Sequence, residues 1–520
     1  MTNKERISGV DTAWLRMEQP TNLMMIVGVM MFERKIRKAD VKRVLEARFL
    51  AYRRFRQCAI EEASGAWWRE PEDFDINNHV HRVSLPGKAG KAELEKLVSE
   101  LASTPLDFGR PLWDFHVVDN YEGSSAVVLR VHHCYADGIA MIQVILSLTH
   151  GTAPGSLELP PVEPERVSSG DADLLAQLLK PLAGMLGNAK EMGLGLLQQG
   201  RELATHPQVA AAALEEVARK GMGFVGEVAS LALMGPDAPT RFKGKLGKAK
   251  RVAWAEPLPL DEVKVVGKAL GCSINDVLLS MAAGALRDYL IEKGDPVDGL
   301  EIRAIVPVNL RPPSASGGLG NQFGLVFLDL PIGIEHPLER LYAVRSRMLA
   351  LKGSYQPMIA LGLLGAVGLG PKVLQERVTA LLGNSASAVM TNVPGPQQPL
   401  YFAGQKIREL DFWVPQSGGI GMGVSILSYD GRIQFGVITD VGLVPDPNEI
   451  VERFSDEFDQ LMWVTLMSPW GTDTGEPASE ARPSRPTADV EPATPRTASQ
   501  GPEAGTQSSR KKIPKRFRNL

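Results

Sequence analysis

Two adjacent histidines, His132 and His133, end an apolar stretch and are followed by Asp137 and Gly138. An imidazole with an unperturbed pKa near ~6.5 can take up and return a proton at neutral pH, which suits a general base. Residues 127–133 alternate as a β-strand, so the two rings should point to opposite faces and cannot easily share one metal ion. The pair therefore indicates proton transfer, and we predict no metal site there.

The segment after the histidines has the period of a helix. Asp137 precedes the apolar run IAMIQVILSL, where its type and position predict an N-cap. Gly138 would form the turn into that helix. We therefore expect Asp137 to have a structural role, orienting the loop that carries the histidines.

Motifs for the common protein nucleophiles and phosphate loops are missing from the sequence. It contains no G-x-S-x-G elbow and no Walker phosphate loop. Cys134 adjoins the histidines, but an ordinary buried thiol is the expected state for it. A base without a protein nucleophile suggests direct attack by a hydroxyl or amine of the substrate.

Two α/β regions should position these residues. The first, residues 1–150, should contain a strand over 22–33, helices over 39–57 and 91–107, and two strands between 111 and 133. The second, residues 240–470, should contain a helix over 273–290 and strands near 302–308, 324–330, 388–392, 421–428 and 433–438. Asp430-Gly431 should form the tight turn of a hairpin.

The remaining segments are predicted to be a connection between the two regions and a C-terminal tail. Residues 151–239 combine a Pro-rich linker with Ala- and Leu-rich helices, which fit a crossover between domains or, alternatively, a hairpin resting on lipid. Residues 471–520 form a tail that should be disordered and that ends in a basic cluster, Arg510–Arg518. That cluster should be solvated, although it could also touch anionic headgroups.

Composition narrows the class of protein. The formal net charge of −3 in 520 residues gives no sign of a nucleic-acid partner. The three cysteines are widely spaced, as expected in a reducing cytoplasm, and the first residues lack the apolar core of a signal peptide. The apolar run Met358–Gly370 is too short to span a bilayer. We therefore expect a cytoplasmic protein whose membrane contact, if any, is peripheral.

The motif His132-His133-x-x-x-Asp137-Gly138 resembles the signature of coenzyme A-dependent acyltransferases of the chloramphenicol acetyltransferase-like fold. Further stretches are similar to the bacterial wax ester synthase/acyl-CoA:diacylglycerol acyltransferase family, in order over about residues 5 to 465. They are SGVDTAWLRMEQPTNLMMI, Arg110-Pro111-Leu112-Trp113, GCSINDVLLSMAAGALRDYL with Asn275 and Asp276, PVNLRPPSASGGLGNQFG, and VMTNVPGPQQPLYFAG. The last departs slightly, with Thr391 where serine is usual.

The resemblance implies two chloramphenicol acetyltransferase-like α/β domains, a helical crossover between them, and an active-site tunnel at their interface. It implies that His133 is the general base, that His132 supports it, and that Asn275, Asp276 and Trp113 shape the active-site interface. From residue type alone, local capping by Ser273 or Asn275 explains the Asn275-Asp276 element, and core packing explains Trp113. Gly320-Asn321 and Asn392–Pro396 consist of residue types that favour turns, so we expect turns at both places.

The implied reaction transfers a long-chain fatty acyl group from acyl-CoA to diacylglycerol or a long-chain alcohol. Acyl-CoA is then a substrate, and no cofactor is expected. The product, triacylglycerol or wax ester, would place the enzyme at the inner face of the plasma membrane or on lipid inclusions. Two alternatives are an amide former like a condensation domain and a non-catalytic lipid-surface protein with the same fold.

Overall fold

The apolar stretch that ends in the histidine pair is an inner strand of a mixed sheet. This is seen in a computed structural model of the chain, which describes residues 4–158, 227, 230–231, 234–310, 319–416 and 418–467. Most of the predicted crossover and the whole predicted tail lie outside these residues.

The described residues form strands β1 (Lys4–Arg6), β2 (Met25–Phe32), β3 (Cys58–Glu62), β4 (Gly65–Arg69), β5 (Val80–Val83), β6 (Trp113–Val118), β7 (Ala126–His132), β8 (Lys250–Trp254), β9 (Leu258–Pro259), β10 (Ile302–Asn309), β11 (Phe323–Leu330), β12 (Ala388–Pro394), β13 (Tyr401–Phe402), β14 (Gln405–Trp413), β15 (Met422–Tyr429) and β16 (Arg432–Asp440). Their helices are α1 (Gly9–Arg16), α2 (Lys38–Val44), α3 (Lys91–Ala102), α4 (Gly138–Leu148), α5 (Leu260–Ala269), α6 (Ile274–Glu292), α7 (Pro337–Lys352), α8 (Gln356–Leu369), α9 (Lys372–Asn384) and α10 (Asn448–Met467).

The first large sheet has the strand order β13-β14-β2-β7-β6-β5. Strand β7 runs antiparallel to both of its neighbours, β2 and β6, and all its residues are buried. Strands β13 and β14 come from the region predicted as the second domain. They pair with this sheet because β14 covers the edge of β2, which would otherwise expose unpaired backbone groups.

The second large sheet has the order β11-β10-β12-β15-β16-β8, and β9 also pairs with β16. Helix α6 packs against α10 and α7 beside this sheet, around a second apolar core. The hairpin between β15 and β16 turns at Asp430 and Gly431, whose φ angles are 47° and 73°. The predicted two-residue turn is confirmed, since both positions have the positive φ that such a turn requires.

Helix α1 is fixed against α8 by a close glycine contact. A Cβ atom built on Gly368 would lie 1.7 Å from the carbonyl oxygen of Gly9, so only glycine permits this approach. The Arg16 Nη1 group also donates a hydrogen bond of 3.2 Å to the Gly370 carbonyl. These contacts determine where Trp14, on the same helix, is placed.

The single helix predicted over residues 39–57 is wrong. Helix α2 ends at Val44, a π-helical turn follows over Leu45–Phe49, and Tyr52 is extended before a short 3-10 turn. The break lets Phe49 stack on Phe55, with ring centroids 3.8 Å apart. Tertiary packing of aromatic rings here outweighs local helix propensity.

The apolar run noted at residues 358–370 belongs to α8, which packs on α1. Among the described residues, no single helix has both the length and the apolar composition needed to cross a membrane. Helices α5 and α6 satisfy both criteria only as a pair, and the pair is bent by 99°.

Candidate active site

The histidine motif occupies the turn between β7 and α4. The backbone N–H of His132 donates to the Leu112 carbonyl at 2.9 Å, and that of His133 donates to the Met24 carbonyl at 2.7 Å. Strand β7 ends at His132, so His133 already belongs to the turn. Backbone contacts to neighbouring strand segments on both sides therefore hold the two residues in place.

The His133 ring lies between α1 and β11. It stacks on Trp14 with ring centroids 4.1 Å apart and an interplanar angle of 23°, and Phe323 lies 5.8 Å away. His133 is 4% exposed, and among the described residues its Nδ1 atom has no hydrogen-bond partner. The ring is thus held between two aromatic side chains, and its Nδ1 atom is buried.

The surroundings keep the His133 imidazole neutral. Burial lowers the pKa of His133 to about 4, although the negative charge of Asp137 acts in the opposite direction. At neutral pH the ring is therefore unprotonated and can accept a proton. The Asp137 carboxylate is placed to stabilise the imidazolium that would result.

This pKa predicts a loss of stability in mild acid. The unfolded chain binds a proton at His133 below pH ~6.5, whereas the folded protein does so only near pH 4. The free energy of unfolding should therefore fall as the pH drops through this window, with His133 contributing roughly 2 kcal/mol between pH 7 and pH 5. Urea unfolding of the parent and of His133→Ala at both pH values measures this. An equal pH dependence in the two proteins would contradict it.

His132 makes different contacts and is fully buried. Its Nδ1 accepts a hydrogen bond of 3.1 Å from the Cys134 N–H, so in the neutral ring the proton belongs on Nε2. Nε2 lies 3.5 Å from a carboxylate oxygen of Glu18. Glu18 also accepts a hydrogen bond from the Met24 N–H. His132 therefore stabilises the turn, and Glu18 is a partner that no local sequence signal indicated.

Asp137 is the N-cap of α4, as predicted. Its Oδ1 accepts a hydrogen bond from the Ala140 N–H at 2.9 Å. Its Oδ2 accepts another, of 3.0 Å, from the Gln322 N–H. One carboxylate therefore starts the helix and also joins the motif to the segment that leads into β11.

The Gly320–Gln322 segment is part of the site, although sequence reasoning treated it as turn chemistry. Gly320 forms a parallel bridge with Ala136 and has a φ of 109°, a conformation that favours glycine. The Asn321 Nδ2 group donates to Asp11 Oδ1 at 2.6 Å and to the His133 carbonyl at 2.9 Å. Asn321 thus connects α1 to the histidine turn.

Comparison with known proteins identifies the family. Residues 7–278 match the family model described as "Wax ester synthase/diacylglycerol acyltransferase catalytic domain". Residues 319–462 match the model described as "WS/DGAT C-terminal domain". The chain belongs to the wax ester synthase/diacylglycerol acyltransferase family. It is therefore an acyltransferase, and the family predicted from its motifs is confirmed.

Proteins named as diacylglycerol O-acyltransferases are similar in sequence to most of this chain. A Mycobacterium tuberculosis protein named as a diacylglycerol O-acyltransferase, tgs1, is 27% identical over 76% of this chain and 81% of its own length. Another from the same species, with the same activity in its name, is 26% identical over 90% of this chain and 92% of its own length.

Solved structures share the fold. The wax ester synthase/diacylglycerol acyltransferase from Marinobacter aquaeolei VT8 superimposes with a TM-score of 0.60 at 19% identity, covering 89% of this chain and all of that one. The first condensation domain of the calcium-dependent antibiotic synthetase gives 0.55 at 13% identity, covering 89% and 96%. The predicted mixed α/β fold of this superfamily is confirmed.

Trp113, from the family's P-L-W element, lies in the core. It is 1% exposed, its Nε1 donates to the Phe55 carbonyl at 2.7 Å, and its ring stacks on His79 at 4.2 Å. The backbone of the preceding residue, Leu112, bonds to His132. Core packing therefore accounts for Trp113, and the adjacent backbone of Leu112 contacts the end of β7.

The Asn-Asp element starts helix α6. Asp276 and Ser273 form a reciprocal capping box, with hydrogen bonds of 2.8 and 3.2 Å. Asn275 accepts a hydrogen bond of 2.8 Å from the side chain of Asn392, in the family's N-V-P-G-P element. Capping thus accounts for Asp276, while Asn275 links two family elements that are distant in sequence.

Gly138 is the first residue of α4. A Cβ atom built there would meet no heavy atom of the described residues within 4 Å. Steric crowding therefore does not account for glycine at this position. The absence of a side chain leaves open space at the end of the histidine turn.

Proposed function

We propose that this enzyme transfers a long-chain fatty acyl group from acyl-CoA to diacylglycerol, to a long-chain alcohol, or to both. The products would be triacylglycerol and wax ester. The observation that carries the proposal is the buried, neutral His133 with an unpartnered ring nitrogen in a chain of this family. The names of its relatives support diacylglycerol as an acceptor.

His133 acts as the general base in this mechanism. A ring nitrogen takes the proton of the acceptor hydroxyl while that oxygen attacks the thioester carbonyl. The tetrahedral intermediate then collapses, the carbon–sulfur bond breaks, and the proton passes from His133 to the leaving thiolate of CoA. The protein needs no metal or redox cofactor for this exchange, since the thioester already activates the acyl group.

Neighbouring residues position the base in this proposal. His132 stabilises the turn through its contacts with Cys134 and Glu18. Asp137 joins α4 to Gln322, and its charge favours the protonated His133 that forms during attack. Gly138 leaves room beside the turn.

We propose that no acyl-enzyme forms on Cys134. This residue is fully buried, and burial raises the pKa of its thiol well above the ordinary value, so the nucleophilic thiolate is disfavoured. Cys134→Ala should therefore keep most of the parental acyl-transfer rate, measured with radiolabelled acyl-CoA. Loss of activity in a folded Cys134→Ala protein, or a labelled protein thioester in the parent, would contradict direct transfer.

We also propose that the protein works in the cytoplasm, in peripheral contact with the inner membrane face or with lipid inclusions. Its lipid acceptors would be found there. The end of α10 exposes large apolar side chains, with Trp463 66% and Met467 79% exposed. Such side chains suit contact with an apolar surface.

The decisive experiment offers radiolabelled palmitoyl-CoA to the purified full-length protein with hexadecanol or dioleoylglycerol. Ester is followed by thin-layer chromatography. Formation of wax ester or triacylglycerol supports the proposal, and the faster reaction identifies the preferred acceptor. If the folded protein makes neither ester, the proposed substrates are wrong, and amide formation or a non-catalytic lipid-surface role becomes the better explanation.

A further inference from the structure

A second group of titratable side chains lies on strands β5 and β6. His81 and His116 are directly paired across these parallel strands, and their rings stack with centroids 4.8 Å apart. Asp114 precedes His116 by two residues and so shares its face. One ligand atom from each of the three residues lies within 4.8 Å of the others. No sequence motif marks this group, because its members come together only by strand pairing.

The carboxylate of this group is held in one orientation. Arg130, on β7, donates from Nε to Asp114 Oδ1 at 2.9 Å and from Nη2 to Oδ2 at 2.5 Å. His116 Nε2 lies 3.1 Å from Oδ1. Two hydrogen bonds from the guanidinium cation favour the ionised carboxylate, so Asp114 offers an anionic oxygen to a ligand.

The edge strand β5 contributes the imidazole of His81 to this group. Neutral imidazole is the form that binds transition metals. His81 and His116 are only partly buried, which leaves a path for an ion to enter.

We propose that His81, Asp114 and His116 form a binding site for Zn²⁺. Two imidazoles and one carboxylate, with water in the fourth position, are a ligand set that zinc accepts in tetrahedral geometry. Bonds of about 2.0–2.2 Å require the three ligand atoms to close in slightly from their present separations. Asp114 can keep its orientation against Arg130 while Oδ1 binds the ion in place of its contact with His116 Nε2, since carboxylate ligands commonly hold a second partner.

The bound ion would hold strand β5 to strand β6. Strand β5 is a four-residue edge strand, held to the sheet by β6. An ion that binds the folded state and not the unfolded state raises the free energy of unfolding. Above the dissociation constant, this increase grows with the logarithm of the ion concentration. The melting temperature of the protein should therefore rise with added zinc. This site is separate from His133, so the inference does not rest on the proposed acyl transfer.

Calorimetric titration of the chelator-treated, full-length protein with ZnCl₂ tests the site. We expect one zinc per chain at this site in the parent and at least about tenfold weaker binding in His81→Ala and His116→Ala. His336→Ala removes an exposed histidine outside the group and should bind like the parent. MgCl₂ should not compete, because Mg²⁺ prefers oxygen ligands. Both ligand variants should keep acyl-transfer activity.

X-ray absorption of the zinc-loaded parent gives a second measurement that does not depend on the variants folding. Two imidazole nitrogens and oxygen donors around zinc are expected. Three results would each overturn the proposal: no zinc uptake by the parent, binding unchanged in folded His81→Ala and His116→Ala, or a sulfur ligand at about 2.3 Å, which would place the ion at a cysteine.

Discussion

Replacing His133 with alanine should reduce ester formation by at least about 100-fold, the effect expected when a general base is lost. The side chain is buried against Trp14, and its neutral ring has an unpartnered nitrogen that can accept the proton, a group that alanine lacks. Initial rates with radiolabelled palmitoyl-CoA and the better acceptor measure the loss. The effect should appear mainly in kcat, because the acyl chain and acceptor still bind.

A glutamine at the same position separates chemistry from packing. His133→Gln retains a polar side chain of similar reach but cannot accept a proton at neutral pH, so it should be as inactive as His133→Ala. His336→Ala, at an exposed histidine, is the matched control and should retain parental activity. If His133→Gln is folded and works at the parental rate, His133 is not the base.

Asp137→Ala should lower the free energy of unfolding by about 2–4 kcal/mol, combining loss of a helix cap with an unsatisfied backbone N–H. The two N–H groups involved belong to Ala140 and Gln322. The freed turn should also displace His133, and small displacements of a catalytic group can lower the rate up to about 100-fold. Urea unfolding and steady-state rates measure the two effects separately.

Asp137→Asn should separate the loss of stability from the loss of rate. Its amide oxygen can still accept from Ala140, so the helix cap remains, but its NH₂ group would face the Gln322 N–H as a second donor. We expect it to be more stable than Asp137→Ala but similarly impaired in rate. Asp75→Ala, which removes a comparable cap at Asn77, should leave the rate unchanged. A fully active Asp137→Asn would show that the link to Gln322 does not position the base.

Sequence reasoning identified the parts of the site that are local in the chain. The apolar alternation before His133, the capping residue Asp137 and the helix-period run after it lie within one short segment. Strand, turn and helix signals of this kind depend on residues a few positions apart. For the same reason the Asp430-Gly431 hairpin and helix α6 were predicted closely.

Sequence reasoning did not identify the contacts made between distant segments. Trp14 stacks on His133, Glu18 lies beside His132, and Asn321 bonds to the turn from the second half of the chain. No periodicity relates these positions. The helix predicted over residues 39–57 was wrong for a similar reason, since aromatic stacking between Phe49 and Phe55 decided the local backbone.

The histidine motif, the cap that follows it, the alternation of the strands and the family resemblance could all be predicted from the order of residues in the chain. The burial of each histidine, the unpartnered ring nitrogen and the pairing of β14 with β2 depend instead on contacts between distant segments. Local propensities act over one turn or one strand. Burial, pKa and partner choice depend on which segments the fold brings together, and those interactions act across hundreds of residues of chain.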